Sequence, residues 1–399
     1  MKLSLLKSTI LCLLAILILA GIKDSISKLY VKFGAAKIEL NNANPNNVIR
    51  LFFDRYGYLY PNYPIDDKII QINDSRLEVV FKNNPDLYKD ICQSESPDNP
   101  LLNSCNNHDT DKDPLQHTLI NKAINSINKN AIDRKLIFII HGFNKHPLLP
   151  ENASSSYENL ILRNEIQKEF PVDSFLFVEI YWDGCSQVNG TQTILESSYN
   201  TFKIWDNAQA ASNYIGLELR RILYGISANN IYIVTHSLGA SVITTALFNV
   251  EKFRDSRYMR EIIELYDDKN IYSTPTKQFS VGMLAPALPG ENTFDDYYKR
   301  TPALNDSINN FRFIIGFNSN DEVLRKFINL DRNLGVTSLG CRMDDLQKCE
   351  NMLNNNGENI ITHVNFSQYN SNLIHKNHPF KTYVHHRGKI NQFLNSVIR

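Results

Sequence analysis

Ser237 lies where a strand gives way to a helix, and a serine in that position is able to act as a nucleophile. The apolar, β-branched residues 231–234 predict a buried strand, and the apolar spacing from Ala240 onward predicts a helix. Between them stands the motif Thr235-His236-Ser237-Leu238-Gly239. Such an abrupt turn leaves the serine at its apex with its hydroxyl exposed, provided that Gly239 gives the backbone room to pass. Ser237 is therefore a candidate nucleophile, with an ordinary strand–helix loop as the alternative.

A serine hydroxyl attacks a carbonyl group at neutral pH only when other groups assist it. A base must lie within hydrogen-bond reach, and a partner must fix the tautomer of that base. Preorganised N–H groups must stabilise the oxyanion that develops. The later part of the chain offers the histidines His375, His378, His385 and His386 and the carboxylates Asp321, Glu322 and Glu291.

The elements that would position these residues alternate between strands and helices. Apolar runs predict strands at 135–140, 174–181, 231–234, 278–284, 311–317 and 360–366. Helical spacing predicts helices at 115–127, 201–224 and 381–397, the last of which would carry His385 and His386. Alternating strands and helices are typical of a parallel sheet covered on both faces. The sequence therefore predicts an α/β fold with a central, mostly parallel sheet flanked by helices.

The region before residue 130 has a different character. Residues 48–60 predict a β-hairpin that turns at 55–57, and 77–81 predicts a further strand. Residues 86–114 are polar and loop-like, apart from a short helix predicted at 85–92. We therefore divide the chain into residues 23–129, with antiparallel N-terminal strands and an Asn-rich loop, and a core at 130–399.

Residues 1–22 have the pattern of a secretory signal peptide. A short basic stretch from Met1 to Lys7 is followed by an uncharged apolar run from Ile10 to Ile22. That run is shorter than the roughly 20 residues that span a bilayer but fits a signal-peptide core. Export to the periplasm or the medium is the expectation, with cleavage near Ala20 or Gly21. The alternative is an uncleaved leader that anchors the protein and brings it into contact with the membrane.

The charge balance suggests what the protein binds. The chain has 42 basic and 42 acidic residues, so its formal net charge is zero. No strong field is available to attract nucleic acid or an anionic membrane surface. A small, neutral substrate fits this balance better, and no nucleic-acid partner is expected. The oligomeric state stays open.

The cysteines predict local disulfides rather than a metal site. Five remain after the leader, and in an oxidising compartment the natural pairs are Cys92 with Cys105 and Cys341 with Cys349, leaving Cys185 over. The alternative is that all five are reduced and structural. No cysteine or histidine spacing typical of zinc occurs, and neither a metal nor a cofactor is expected.

The order of these motifs resembles the lipase and esterase side of the α/β-hydrolase superfamily over roughly residues 130 to 399. Five strands are each followed by a polar motif: His141-Gly142-Phe143-Asn144, Trp182-Asp183, Thr235-His236-Ser237-Leu238-Gly239, Asn320-Asp321, and a histidine-containing loop. The chain departs from the family's Gly-x-Ser-x-Gly pattern at Thr235. Threonine takes up room where strand and helix pack closely.

The resemblance implies an oxyanion hole and a position for the acid. The oxyanion donors would be the backbone N–H groups of Phe143 and Leu238. Some lipases carry the acid after the strand that follows the nucleophile, but Ala285 stands there. The acid would then follow the next strand, as Asp321, for which the alternative role is an N-cap of a helix predicted at 322–328.

The base, by the same resemblance, follows the last strand. His378 is preferred and His375 is second, because His385 and His386 fall on the predicted terminal helix and are expected to be structural. His141 and His236 are expected to shape loops and to help form the wall of the pocket. The order Ser237, Asp321, His378 is that of the superfamily.

The resemblance implies a serine hydrolase that cleaves carboxylic esters through an acyl-enzyme on Ser237. A lipid or another small ester would be the substrate. Thioester hydrolysis or acyl transfer with the same triad is an alternative, and so is a non-catalytic protein of this fold that binds a ligand or a partner. A third is an envelope-anchored surface protein whose Asn-rich N-terminal region makes contacts.

Overall fold

The structure is a computed structural model. It describes residues 29–32, 47–61, 69–71, 76–93, 112–143, 155–182, 187–188, 194–248, 277–290, 310–325, 337–354, 359–367 and 380–399. The signal-peptide assignment of residues 1–22 lies outside these ranges. So do Cys105, Cys185, Glu291, His375 and His378.

Eleven strands form two sheets among the described residues. The strands are β1 (Leu29–Lys32), β2 (Val48–Phe53), β3 (Leu59–Tyr60), β4 (Ile69–Gln71), β5 (Lys135–Ile140), β6 (Phe175–Trp182), β7 (Gln187–Val188), β8 (Asn230–His236), β9 (Gln278–Leu284), β10 (Phe311–Phe317) and β11 (Ile361–Asn365). The large sheet has eight strands in the order β11-β10-β9-β8-β5-β6-β2-β3, and all its neighbouring pairs are parallel except β2 with β3. The small antiparallel sheet has the order β4-β1-β7.

Nine α-helices accompany these strands in the described ranges. They are α1 (Arg76–Asn83), α2 (Pro85–Gln93), α3 (Lys112–Asn130), α4 (Ser155–Glu169), α5 (Ile194–Gly225), α6 (Gly239–Phe248), α7 (Met343–Leu353), α8 (Phe380–His385) and α9 (Arg387–Ile398). The predicted α/β fold is confirmed at this level: a mostly parallel sheet with helices between its strands.

Helices cover both faces of the large sheet. On β9, the ring of Phe279 contacts that of Tyr224 of α5 at 5.7 Å between centroids, whereas Gly282 faces Val397 and Phe393 of α9. Residues of opposite parity on a strand point to opposite faces of its sheet. Helices α3, α5 and α6 therefore pack together on one face, and α4, α8 and α9 on the other.

Double coverage explains why the central strands β5 and β6 are apolar except for Lys135 and Glu179. All eight residues of β6 are buried, and five of the six residues of β5. A strand buried on both faces has no solvent side on which polar residues would alternate. The continuous apolar runs that predicted these strands are thus a direct consequence of the helices on both sides.

The N-terminal region differs from the expectation in two respects. The hairpin of β2 and β3 forms as predicted, but β2 runs parallel to its other neighbour β6, so only β3 is antiparallel within the large sheet. The strand predicted at 77–81 is wrong, since helix α1 occupies this stretch. Leu77, Val80 and Phe81 are buried at helical spacing, while Glu78 is exposed.

The predicted terminal helix is divided in two. Helix α8 ends at His385, and His386, with φ −79° and ψ 67°, precedes α9. Because the non-helical ψ of His386 redirects the chain, α8 and α9 are separate helices rather than one. The helix predicted at 322–328 is also not found where the chain is described, since residues 322–325 form turns.

The predicted pairing of Cys341 with Cys349 is wrong. Both cysteines are free and buried. Cys349 lies on α7 with its Sγ 3.4 Å from the carbonyl oxygen of Gly290, whereas the Sγ of Cys341 lies 3.7 Å from that of Thr337. The two thiols are directed at different parts of the backbone, so each packs as a small apolar side chain.

Candidate active site

Ser237 occupies a strained turn between β8 and α6. Its φ is 53°, in the left-handed region that side-chain-bearing residues rarely adopt. The N–H of Ser237 donates to the carbonyl oxygen of Leu284 (2.9 Å), and its carbonyl oxygen accepts from the N–H groups of Ala240 and Ala287 (3.1 Å each). Ser237 is only 3% exposed, so the prediction of an exposed serine is wrong: the loop after β5 packs against the turn. These bonds to the end of β9 and to the start of α6 hold the turn in its unfavourable conformation.

A second strained residue adjoins this turn. Ala285, at the end of β9, has φ 47°, and its N–H donates to the carbonyl oxygen of Gly316 at 3.0 Å. Ala285 is fully buried, and it stands where some lipases carry the acid. Two consecutive strands of the sheet therefore end in left-handed turns that are hydrogen-bonded to each other.

The motif around His141 lies directly against the serine turn. A Cβ on Gly142 would lie 2.7 Å from the Cβ of Ser237, and a Cβ on Gly239 would lie 2.6 Å from the carbonyl oxygen of His141. Both distances are shorter than side chains tolerate, so each loop needs a glycine at the point where it meets the other. The two motifs that the sequence placed 95 residues apart are thus in atomic contact.

His141 is held by Trp182, which ends β6. The indole Nε1–H of Trp182 donates to the carbonyl oxygen of His141 (2.9 Å), and the backbone N–H of Trp182 donates to Nε2 of His141 (3.1 Å). Because Nε2 accepts, the ring proton of the neutral imidazole is assigned to Nδ1, which lies 2.9 Å from the carbonyl oxygen of Gly142. The rings also stack at 5.5 Å. His141 therefore shapes its loop, as the sequence predicted.

The expected oxyanion donors lie on these two touching loops. Phe143 directly follows Gly142 and is half-buried, and Leu238 directly follows Ser237. Leu238 precedes the first residue of α6, where backbone N–H groups have no helical acceptor. Among the described residues, no group accepts a hydrogen bond from the N–H of Leu238.

Asp321 lies beyond the end of β10 and is fully buried. Its Oδ1 accepts a hydrogen bond from the N–H of Leu324 (3.0 Å), which stabilises the turn that follows. Its Oδ2 accepts a hydrogen bond from the phenol of Tyr383 (2.9 Å). Asp321 is thus tied both to its own turn and to helix α8. Glu322, the next residue, is only half-buried.

Helix α8 covers the residue that precedes the serine. The ring of His236 makes edge contacts with Phe380 at 5.6 Å and with Tyr383 at 6.2 Å. His385 is exposed, and the ring of His386 contacts Phe366 at 6.1 Å. The preferred base His378 lies outside the described residues, two positions before α8 begins.

Tyr383 is the residue at this site that sequence reasoning missed. It is 1% exposed, and its pKa is raised well above 10, first by burial and then by the negative charge of Asp321. A hydrogen bond from the side chain of Asn318 partly opposes these effects on the pKa. The sequence signal was only its position, five residues after His378 on a predicted helix.

Thr235, where the chain departs from glycine, is buried beside a small cavity. A cavity of about 10 Å³ lies beside Thr235, between β8 and helix α4, and is lined by Asn159 and Leu162 among others. Thr235 is buried, and no described residue accepts or donates a hydrogen bond at its hydroxyl.

The described ranges contain neither a metal-binding cluster nor a membrane-spanning helix. They contain no group of three or more His, Cys, Asp or Glu side chains arranged to hold a metal ion. Nor does any helix in them have the length and apolar character needed to cross a membrane.

Comparisons of the chain with protein-family models, with curated proteins and with solved structures find no match. The assignment of this site therefore depends on its own residues and their geometry.

Proposed function

We propose that the protein is a serine hydrolase of the α/β-hydrolase type that cleaves carboxylic esters. The observation that carries the proposal is the strained backbone of Ser237, φ 53°, at a strand–helix turn that packs against the His141–Gly142 loop. Strain of this kind persists only where the surroundings impose it, and it clusters at reactive residues. A loop that merely joined β8 to α6 would have no need of a left-handed serine.

In the proposed mechanism, Ser237 Oγ attacks the ester carbonyl while His378 takes the hydroxyl proton. The N–H groups of Phe143 and Leu238 stabilise the oxyanion. The C–O bond to the alcohol then breaks, and the imidazolium gives its proton to the leaving alcohol. Water, deprotonated by His378, attacks the acyl-enzyme, and the acid is released as the serine regains its proton. Asp321 orients the imidazole and stabilises its charged form.

The spacing of the strands supports Asp321 as the acid. Ser237 follows β8 and Asp321 follows β10, with β9 between them. Neighbouring strands lie about 4.8 Å apart, so the two strand ends are separated by about 10 Å. That gap suits an imidazole placed between a hydroxyl and a carboxylate. Ala285, at the end of the intervening strand, has no side chain long enough to fill it.

The position of α8 supports His378 as the base. Phe380, the first residue of the helix, lies against His236, the neighbour of Ser237. His378 stands two positions before Phe380 in the sequence, which is why it is the preferred base. His375 is five residues from Phe380 and has a longer reach, so it stays as the second candidate.

The test is labelling of the purified mature protein with a fluorophosphonate probe. We expect the wild type to react and Ser237→Ala and His378→Ala to lose labelling, while His375→Ala and the exposed His385→Ala react normally. Loss in His375→Ala but not in His378→Ala would move the base to His375. A folded wild type that does not react would contradict the hydrolase proposal and favour a binding protein of the same fold.

The acyl group is tested separately. We expect nitrophenyl esters of increasing chain length to be hydrolysed faster than acyl thioesters of the same length. A preference for thioesters, or acyl transfer to an added alcohol in place of hydrolysis, would contradict the ester assignment while preserving the triad.

Export through the N-terminal segment is part of the same proposal. We expect the exported protein to begin near residue 21 or 22, as read by mass spectrometry of its N-terminus. An intact Met1 in a membrane fraction would favour the anchored alternative.

A further inference from the structure

Tyr383 connects the acid to the residue before the nucleophile. Its phenol donates to Oδ2 of Asp321 at 2.9 Å, and its ring contacts that of His236 at 6.2 Å. Tyr383 and Asp321 are 62 residues apart in sequence and both are buried. A buried carboxylate must receive hydrogen bonds, because removing its charge from water is costly.

The surroundings of Tyr383 make it a permanent donor to Asp321. Burial and the charge of Asp321 raise its pKa well above 10, so the phenol keeps its proton at all pH values where an esterase works. The side chain of Asn318 hydrogen-bonds to the phenol, and the thiol of Cys341 lies close enough to act on its pKa. The ring of Phe366 contacts the tyrosine ring at 5.1 Å.

Asp321 is therefore held by donors from two separate parts of the chain. Its Oδ1 receives the N–H of Leu324 from its own turn, and its Oδ2 receives the phenol of Tyr383 from α8. Each carboxylate oxygen has two lone-pair sites, so one bond to each still leaves acceptor capacity for an imidazole. The two donors fix the plane of the carboxylate.

We propose that Tyr383 is a positioning residue of the hydrolase: its hydroxyl holds the Asp321 carboxylate in the orientation that the catalytic histidine requires. This inference rests on the proposed function and adds a fourth side chain to the triad. Tyr383 touches neither the substrate nor the reacting atoms, and it acts only through Asp321. A purely structural tyrosine would support the fold but would not alter the reactivity of Ser237.

The test compares labelling rates of Tyr383→Phe, Asp321→Ala and the double variant. Phenylalanine keeps the ring contacts with His236 and Phe366 and removes only the hydroxyl. We expect Tyr383→Phe to slow labelling about tenfold, as befits a lost hydrogen bond to a charged group. In the Asp321→Ala background the same change should have no further effect, because non-additivity marks residues that act as a unit. Tyr232→Phe, on β8, is the control and should label normally.

The pH dependence of the labelling rate distinguishes a positioning role of Tyr383 from a purely structural one, because a change in packing alone would not shift it. A carboxylate with one donor fewer attracts the imidazolium more strongly, so the acid limb of the labelling rate should shift to higher pH in Tyr383→Phe. Replacing Tyr383 with 3-fluorotyrosine, a stronger donor of nearly the same size, should shift it to lower pH. The fluorotyrosine variant also keeps the test valid if phenylalanine impairs folding.

The outcomes separate this inference from the function on which it rests. A reactive wild type whose Tyr383→Phe variant matches it in rate and pH profile would overturn the role of Tyr383 and leave the hydrolase proposal intact. If Tyr383→Phe slows labelling by the same factor in the Asp321→Ala background as in the wild type, the role of Tyr383 is also overturned and the hydrolase proposal is left intact. A wild type that does not react at any pH would overturn both.

Discussion

Gly142 and Ser237 approach so closely that a Cβ on the glycine would lie 2.7 Å from the Cβ of the serine. The approach joins the loop after β5 to the turn after β8. Because the same turn meets the first loop again at Gly239, the two loops are interlocked at two points. Their relative position is therefore fixed before any ligand binds.

The interlocking predicts a severe effect of a single methyl group. We expect Gly142→Ala to push the two loops apart, lowering the free energy of unfolding by about 1–3 kcal/mol and slowing fluorophosphonate labelling more than tenfold. Thermal unfolding and labelling rates measure the two effects. The matched control is Gly388→Ala on α9, where an added Cβ meets nothing within 4 Å and alanine favours the helix. Equal behaviour of the two variants would contradict the interlocked arrangement.

We expect both the indole N–H and the ring of Trp182 to contribute to stability and to the labelling rate. Trp182→Phe keeps an aromatic ring beside His141 but removes the Nε1–H bond to its carbonyl oxygen. We expect the loss of about 1 kcal/mol of stability and a slower labelling rate, because the loop that carries Phe143 becomes less well held. Trp182→Leu, which removes both the ring and the bond, should be worse. If Trp182→Phe equals the wild type in both measurements, the indole bond has no role in holding the loop.

Arg220 should stabilise the helix that follows the nucleophile. It lies on α5, is 1% exposed, and donates to the carbonyl oxygens of Ala246 (2.8 Å) and Thr245 (2.7 Å), near the end of α6. Arg220→Met keeps most of the apolar stem but leaves these carbonyls without the guanidinium, and should lower the free energy of unfolding by about 2 kcal/mol. The neighbouring Arg221→Met loses a partly exposed ion pair with Glu218 (3.0 Å) and an exposed contact with Nδ1 of His117 (3.2 Å), and should cost less than about 1 kcal/mol. Chemical denaturation compares the two, and similar losses would contradict the capping role.

His363 should make stability depend on pH. Its Nδ1 lies 2.6 Å from Oε1 of Glu350, and this hydrogen bond, opposed in part by burial, raises the pKa of His363 above 6.5. The folded pKa exceeds the unfolded one, so the pair contributes fully below about pH 6.5 and its contribution is lost as pH rises through the folded pKa. Both groups are partly exposed, so we expect a contribution below about 1 kcal/mol.

The test for His363 is chemical denaturation at a series of pH values. The difference in stability between the wild type and His363→Gln should be largest near pH 6 and should shrink above pH 7. Glu350→Gln should show the same trend, since it removes the other half of the pair. A difference that grows with pH would mean that the sign of this linkage is wrong.

The sequence predicted the central strands because double burial leaves a strong mark on composition. Runs such as residues 136–140 contain only apolar residues, and the runs of β5 and β8 end at polar motifs that meet at the same edge of the sheet. The nucleophile turn and the His141–Gly142 loop were predicted for this reason, and the structure brings them into contact. Short windows are harder to interpret: the five residues 77–81 predict a strand, but Leu77, Val80 and Phe81 lie on helix α1.

Helix α4 could not be predicted because its buried side is partly polar. Glu158, Asn159 and Arg163 are all buried, and Arg163 pairs with Glu179 of β6 at 2.8 Å. Apolar periodicity has little to detect in such a helix. The contact of Tyr383 with Asp321 was equally hidden, because it joins side chains 62 residues apart. Long-range polar contacts of this kind become visible only in three dimensions.

The left-handed backbone at Ser237 lowers the stability of the fold at the residue that we propose to be reactive. A residue with a side chain costs about 1 kcal/mol or more in this conformation, and glycine would relieve that cost. Glycine would also remove the hydroxyl, so the most stable chain and the most reactive chain differ at this position. Ala285, bound to the same turn through its neighbours, carries a similar cost without offering a reactive group. The fold thus tolerates two adjoining strained residues, of which only Ser237 carries a hydroxyl.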